Sequence, residues 1–452
     1  MTDAGLQATG TFIAVDTDHS RVTAKVFRRL IGFLFVAYFF SYLDRINIGF
    51  AALSMNKDLA LTATMFGFAN TLFYLTYMIF EVPSNLLLAR FGARIWIARI
   101  MVTWGIASTA TMFATGPYSL YFTRALVGLA EAGFVPGVIL YLSYWFPTAH
   151  RARAMALLMM AMPATFMLGS PMSGLILQLH GALGIAGWRW LFLLEGLPSI
   201  VLGVVTYFYL TDRPKDANWL TPVERSIVQQ ALDSESKAAP VAQAGSMWRE
   251  LLGARVLLLS LAYFCLVTSL NTYATWTPQI IREFLGGAQD FATIGLLGAI
   301  PSFFTLLAMP LVSFSSDRRN ERLWHTCALF GLTALGWVAV LMFGAAQWRL
   351  AGLVLVSIGA FSGMAIFWAF ATPLLSIRNR PGSIGLISSA GILGSATSPT
   401  IVGLLRDWTA SFNSGIWYAV VLLVLGIVAL LAAQAFARRE QAITADGSAV
   451  RA

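Results

Sequence analysis

Twelve apolar runs, each long enough to cross a hydrocarbon layer, leave this chain few folds to choose from. They lie near 28–50, 62–84, 94–114, 118–146, 153–178, 187–210, 255–281, 290–314, 323–344, 349–374, 383–405 and 413–436. About 20 helical residues span a hydrocarbon core of ~30 Å. Irregular backbone cannot face lipid, because its N–H and C=O groups would go unbonded, so each run is expected to be a helix. Composition closes the alternative: 58% of the residues are apolar or aromatic and 11% are charged. A soluble fold could not clothe itself in polar side chains from that stock. The chain reads as an all-α membrane protein with 12 transmembrane helices, not as a soluble enzyme or nucleic-acid binder.

The basic residues orient it. With the spans numbered in chain order, 23 of the 30 Lys and Arg lie in the tails or in loops that follow even-numbered spans. The other side has five (Lys57, Arg189, Arg282, Arg349 and Arg406), and Arg45 and Arg124 lie within spans. Basic loops stay in the cytoplasm, so both termini are expected there, and the net charge of +9 needs no nucleic acid to explain it. No short apolar core with a small-residue cleavage site precedes the first run, so span 1 itself is expected to direct insertion. The longest polar stretch divides the chain into a cytoplasmic N-tail (1–27), a six-helix bundle (28–210), a cytoplasmic linker (211–254), a second six-helix bundle (255–436) and a cytoplasmic C-tail (437–452). Within the linker, Thr221-Pro222-Val223-Glu224 has the form of a capping box with Pro at the first helical position, which predicts a short helix.

Ionisable groups inside a membrane helix cost at least ~2.5–3.5 kcal/mol, so they usually serve a polar pathway. The first half holds Asp44, Arg45, Glu81, Arg124, Glu131 and Glu195, and the interiors of spans 7–12 hold none. Helical rise places Arg45 about 25 Å from Arg28, and Arg124 about 9–10 Å inside the opposite end of span 4, so the two guanidiniums can share one level. Glu131 lies two turns from Arg124 on the same face. Paired arginines suit a carboxylate ligand, because the planar fork donates two parallel hydrogen bonds. Asp44 and Glu131 suit proton carriage, since burial and a neighbouring arginine pull their protonation in opposite directions. The bland alternative is structural ion pairing, Asp44–Arg124 or Arg45–Glu131. Glu81, beside Pro83, and Glu195 read as structural acids.

Tyr42, Tyr77, Tyr273, Trp276 and Trp368 are candidates for packing a substrate, or equally for bundle packing and interfacial anchoring. Cys265 and Cys327 sit in apolar stretches and match no metal spacing. His19, His150, His180 and His325 have no ligand partner in register, and no nucleophile–base pair is present. A transporter without a cofactor, other than protons as coupling ion, is the expectation.

Two loops resemble each other. Asn85-Leu86-Leu87-Leu88-Ala89-Arg90-Phe91-Gly92-Ala93-Arg94 follows span 2, and Ser313-Phe314-Ser315-Ser316-Asp317-Arg318-Arg319-Asn320-Glu321-Arg322 follows span 8. Both resemble eroded copies of the G-x-x-x-D-R-x-G-R-R loop of the major facilitator superfamily; neither has the leading Gly, and the first lacks the Asp. Further residues are similar to the anion:cation symporter branch of that superfamily: Tyr42-Leu43-Asp44-Arg45-Ile46-Asn47, Glu81-Val82-Pro83-Ser84-Asn85, Arg124 with Glu131-Ala132-Gly133-Phe134, Gly187-Trp188-Arg189-Trp190 through Glu195-Gly196, and Asp212-Arg213-Pro214 to Trp219-Leu220-Thr221. The resemblance implies two six-helix bundles working by alternating access, a monomer, and proton symport of acids such as tartrate, sugar acids or hydroxyphenylacetate across the inner membrane. It further implies that Arg45 and Arg124 meet the substrate carboxylate, that Asp44 and Glu131 carry protons, and that Tyr42 and Tyr77 line the pocket. Sugar-acid members of the branch place an Asn in span 11, where this chain offers Ser388, Ser389 and Ile392.

The expected function is therefore proton-coupled import of a small organic carboxylate. An antiporter or exporter is the nearest alternative, since Gly169-Ser170-Pro171-Met172-Ser173-Gly174 is similar to the exporter motif of span 5. A non-transporting membrane receptor is the more distant one.

Overall fold

A computed structural model describes residues 4–238, 251–287, 290–376 and 379–449. Twelve helices in it are long and apolar enough to span a membrane: Ser20–Asp58, Ala63–Phe91, Ala93–Phe113, Pro117–Ser143, Arg153–Leu177, Gly187–Tyr209, Ala254–Phe284, Phe291–Arg319, Leu323–Met342, Ala346–Leu374, Arg380–Thr409 and Asn413–Arg439. No strand occurs among the described residues. The expected linker falls partly on 239–250, and the tails end in 1–3 and 450–452, all outside the described residues. Large apolar side chains cover the outside, with Phe208 79% and Leu311 69% exposed, an arrangement that only lipid satisfies.

The packing repeats between the halves. Span 3 packs on 6, span 2 on 4, span 1 on 5 and 6; in the second half 9 packs on 12, 8 on 10, and 7 on 11 and 12. Adding six to each number converts the first set into the second, the mark of a two-bundle transporter built from related halves. The bundles meet through 2 with 11, 5 with 8, and 1 with 7, a set that the same operation maps onto itself.

These seams close the end opposite the termini. Small residues let backbones touch there: a Cβ on Gly67 of span 2 would run into the Pro399 carbonyl of span 11, and one on Gly174 of span 5 into the Phe291 carbonyl of span 8. Arg282 Nη1 donates to the Leu53 carbonyl at 2.6 Å. Asp407, in the second bundle, accepts the Ala63 and Thr64 amides at 3.0 and 2.8 Å and the Thr64 hydroxyl at 2.6 Å, so it caps span 2 from across the seam. An N-cap contributes ~1 kcal/mol. Asp407→Ala is therefore expected to shift the population about fivefold toward the state open at this end. Electron-spin distances between labels at Leu61 and Ala410 would report it, and an unchanged distribution would discount the latch.

At the other end, the acid missing from the first loop comes from elsewhere. Asp212, after span 6, accepts the Arg94 amide at 2.8 Å and so caps span 3. Gly92, at φ +90°, leaves it room, since a Cβ there would meet the Asp212 carboxylate. The linker helix Pro222–Ala238 begins with reciprocal capping: the Thr221 amide donates to Glu224 Oε2 at 2.8 Å, and the Glu224 amide donates to Thr221 Oγ1 at 3.3 Å. Glu224 also takes Lys25 Nζ at 2.8 Å, and that ammonium, first among its partners, holds its carboxyl below the usual range.

Candidate functional site

Span 1 offers two faces. Tyr38, Ser41, Tyr42 and Arg45 recur at spacings of three and four residues and share one stripe, whereas Asp44 is turned about 100° from Arg45. The structure separates the two neighbours accordingly. Arg45 faces span 4, where its Nε donates to Glu131 Oε1 at 2.8 Å and its Nη2 lies 2.7 Å from the same oxygen. Ser41 Oγ donates to that oxygen too, at 2.8 Å. Glu131 is fully buried, and its Oε2 has no hydrogen-bond partner. The Arg45 guanidinium carbon sits 5.2, 5.1 and 5.6 Å from the rings of Tyr42, Tyr77 and Phe73, an aromatic cage that shelters the cation.

Arg124 approaches from span 4, 4.9 Å from the Phe73 ring, so both guanidiniums flank one phenyl group. Arg124 is 2% exposed, its Nε is buried without a partner, and no described acid lies within ion-pair distance of it. A buried cation without a counterion is costly, and an anionic ligand would relieve that cost.

A break in span 4 helps to position Glu131. The helix Pro117–Glu131 ends at the acid and a second segment, Phe134–Ser143, starts after Gly133 at φ +85°. The left-handed turn requires glycine on conformational grounds, and a Cβ there would also strike Ser84 Oγ. Interrupted helices near the middle of the membrane are where transporters place binding groups.

Asp44 does not join this cluster, and the pair Asp44–Arg124 is not formed. Asp44 lies among spans 3 and 6, where it accepts Trp104 Nε1 at 2.9 Å, Ser108 Oγ at 2.7 Å, Ser199 Oγ at 3.3 Å and Asn47 Nδ2 at 3.3 Å. Arg45–Glu131, the other structural pairing considered from the sequence, is formed.

Of the five aromatic candidates, Tyr42 and Tyr77 belong to the cage. Trp276 is fully buried against Phe66 and Phe412, both at 5.2 Å, in the closed seam. Tyr273 packs 5.6 Å from Phe166 and 6.3 Å from Phe361. Trp368 lies half-buried beside Tyr263, ring to ring at 5.1 Å, and its indole donates to the Tyr263 hydroxyl at 3.3 Å. Sequence reasoning missed Ser41, Phe73 and the Asn271–Tyr74 bond at 2.6 Å, which ties span 7 to span 2. The stripe spacing from Arg45 pointed to Ser41; nothing in the sequence singled out Phe73 among 32 phenylalanines. Cys265 and Cys327 are buried free thiols, and no group of metal-ligating side chains occurs among the described residues.

Comparison with known proteins agrees with this architecture. The Major Facilitator Superfamily model matches residues 34–376. A protein of Agrobacterium vitis named "Putative tartrate transporter" is 41% identical over 428 residues, 94% of each chain. The "Quinolone resistance transporter" of Acinetobacter baumannii is 34% identical over 88% of this chain and 92% of its own. Among solved structures, the xylose transporter XylE from E. coli, in a partially occluded inward-open conformation, superposes with a TM-score of 0.70 at 13% identity, covering 90% of this chain and 97% of that one.

Proposed function

The chain belongs to the major facilitator superfamily, and we propose that this transporter imports a small organic carboxylate together with protons by alternating access. One observation carries the proposal: two guanidiniums flank Phe73, but among the described residues only one carboxylate, Glu131, is bonded to them, and Arg124 stands without an acid. The cluster is thus one negative charge short, and a substrate carboxylate supplies it through the bidentate geometry that arginine favours.

Coupling follows from the same atoms. Ionised Glu131 occupies Arg45. A proton arriving at its bare Oε2 cancels the charge that holds Arg45 and releases the guanidinium to join Arg124 on the substrate. Substrate and proton then favour each other by reciprocal linkage. On the expectation from the basic loops that the termini are cytoplasmic, the closed seam lies on the outer side and release is inward. The inner membrane is the proposed location and a monomer the proposed unit. The names of the Agrobacterium relatives support a hydroxy-dicarboxylate such as tartrate.

An exporter remains the second proposal, favoured by Gly169–Gly174 in span 5 and by the name of the Acinetobacter relative. Right-side-out vesicles with an inward proton gradient decide between them: import accumulates labelled tartrate or another acid found by thermal-shift screening, whereas proton-driven export does not. Competition by analogues tests the anion assignment. Amidating the carboxylate of the transported acid is expected to abolish competition, and removing one hydroxyl to weaken it less. An amide that competes as well as the acid would overturn the carboxylate reading.

A further inference from the structure

A second set of buried acids lies behind the arginine cluster. Glu195 of span 6 is fully buried; its Oε1 accepts Ser173 Oγ at 2.7 Å, and its Oε2 has no hydrogen-bond partner. The Asn47 amide of span 1 faces both this carboxyl and Asp44. Its Nδ2 donates to Asp44 Oδ1 at 3.3 Å, and its Oδ1 is buried without a partner. Two acceptors, Glu195 Oε2 and Asn47 Oδ1, are thus left bare in the same region of the bundle core. A bare buried acceptor has given up its water without a replacement partner and is costly.

One proton removes both defects. The Asn47 N–H side lies toward both carboxyls; a proton on Glu195 Oε2 turns that bare acceptor into a donor, and a turn of the amide brings its bare Oδ1 to accept it. An amide has one donor end and one acceptor end, so between two carboxyls it can serve one ionised and one protonated partner. With the amide oxygen presented to Asp44 instead, the N–H side donates to Glu195, and the proton then belongs on Asp44. The two arrangements hold the proton at different carboxyls, and filling the set from one side and emptying it to the other carries one proton per cycle.

We propose that Asp44, Asn47 and Glu195 form a one-proton store in the first bundle, with Glu195 holding the proton when Asp44 is ionised. This deepens the proton-coupled reading above and rests on it for its role in transport. The neighbouring groups are consistent with a single proton. Asp44 is bonded to the neutral donors Trp104, Ser108, Ser199 and Asn47, and Glu195 to Ser173. The charged groups that reach Asp44 electrostatically are Glu131 and Arg124 of span 4, with Glu195 itself across Asn47. Events at the arginine cluster can therefore bias which carboxyl keeps the proton.

Two measurements on the full-length protein test this. Infrared spectroscopy of the purified, ligand-free protein at neutral pH is expected to show a protonated-carboxyl carbonyl band that disappears in Glu195→Gln and shifts in Asn47→Leu. A band unchanged in Glu195→Gln would overturn the assignment, provided that variant elutes as a single species. In proteoliposomes with labelled tartrate, each coupled proton multiplies the accumulation ratio about tenfold per pH unit. Glu195→Gln is expected to lower the steady-state ratio by that factor, and Glu195→Asp to restore much of it. If Glu195→Gln accumulates tartrate like wild type while Glu131→Gln does not, the store is wrong and the coupled-import reading stands. If wild type itself fails to accumulate the acid, the import reading falls, and the infrared result alone decides whether Glu195 holds a proton.

Discussion

Arg124→Lys is expected to abolish substrate binding although it keeps the positive charge. The guanidinium is buried beside Phe73 without an acid, so it is the cation most available to a ligand carboxylate. Lysine offers a point charge in place of a planar fork, and its shorter reach of parallel donors cannot hold both carboxylate oxygens. Losing one partner of a buried charged pair costs 2–5 kcal/mol, which is about 30-fold to several thousandfold in affinity. Arg45→Lys is expected to weaken binding by less, because Arg45 divides its bonds between Glu131 and the ligand. Isothermal titration with the transported acid checks both, and near-wild-type affinity in folded Arg124→Lys would discard the clamp.

Glu131→Gln is expected to separate binding from accumulation. Glutamine keeps the shape and the Ser41 contact but cannot alternate between charge states. In wild type, protonation frees Arg45, so affinity for the anion should be higher at lower pH. In the variant Arg45 is permanently released, so affinity should be high and flat with pH. Without a change of charge at this position, proton binding no longer releases Arg45 to the anion, so gradient-driven accumulation should be lost while counterflow at equal pH continues. Paired uptake in proteoliposomes measures both. Concentration of substrate by Glu131→Gln under the gradient would return Arg45–Glu131 to the structural ion pair that the sequence also allowed.

Much of the molecule was legible before any coordinates. Twelve apolar runs can satisfy their backbone in lipid only as helices, which sets the fold class. The confinement of intramembrane charge to the first half pointed to the cluster of Arg45, Arg124 and Glu131, because buried charge is costly in an apolar environment. Arg45, Arg124 and Glu131 came from that rule together with helical rise. The spacing also contained a finer message: adjacent residues on a helix point about 100° apart, so Asp44 and Arg45 could not both face the span 4 acid.

Only the tertiary structure could say which partner each side chain found. Arg45 met Glu131 and left Arg124 without an acid, Phe73 came to lie between the guanidiniums, and Asp44 joined Trp104, Ser108 and Asn47 behind them. Asp212 and Asp407 accept helix-terminal amides 118 and 344 residues away in the chain, where no local pattern announces them. Sequence periodicity fixes the direction of a side chain about its own helix axis. Its neighbours depend on how the helices rotate and approach one another, and that depends on close contacts such as Gly67 against Pro399 and on the break at Gly133. Residue type and spacing therefore determined a membrane-spanning chain with buried charge in one half, and helix packing decided which of those charges is paired and which is not.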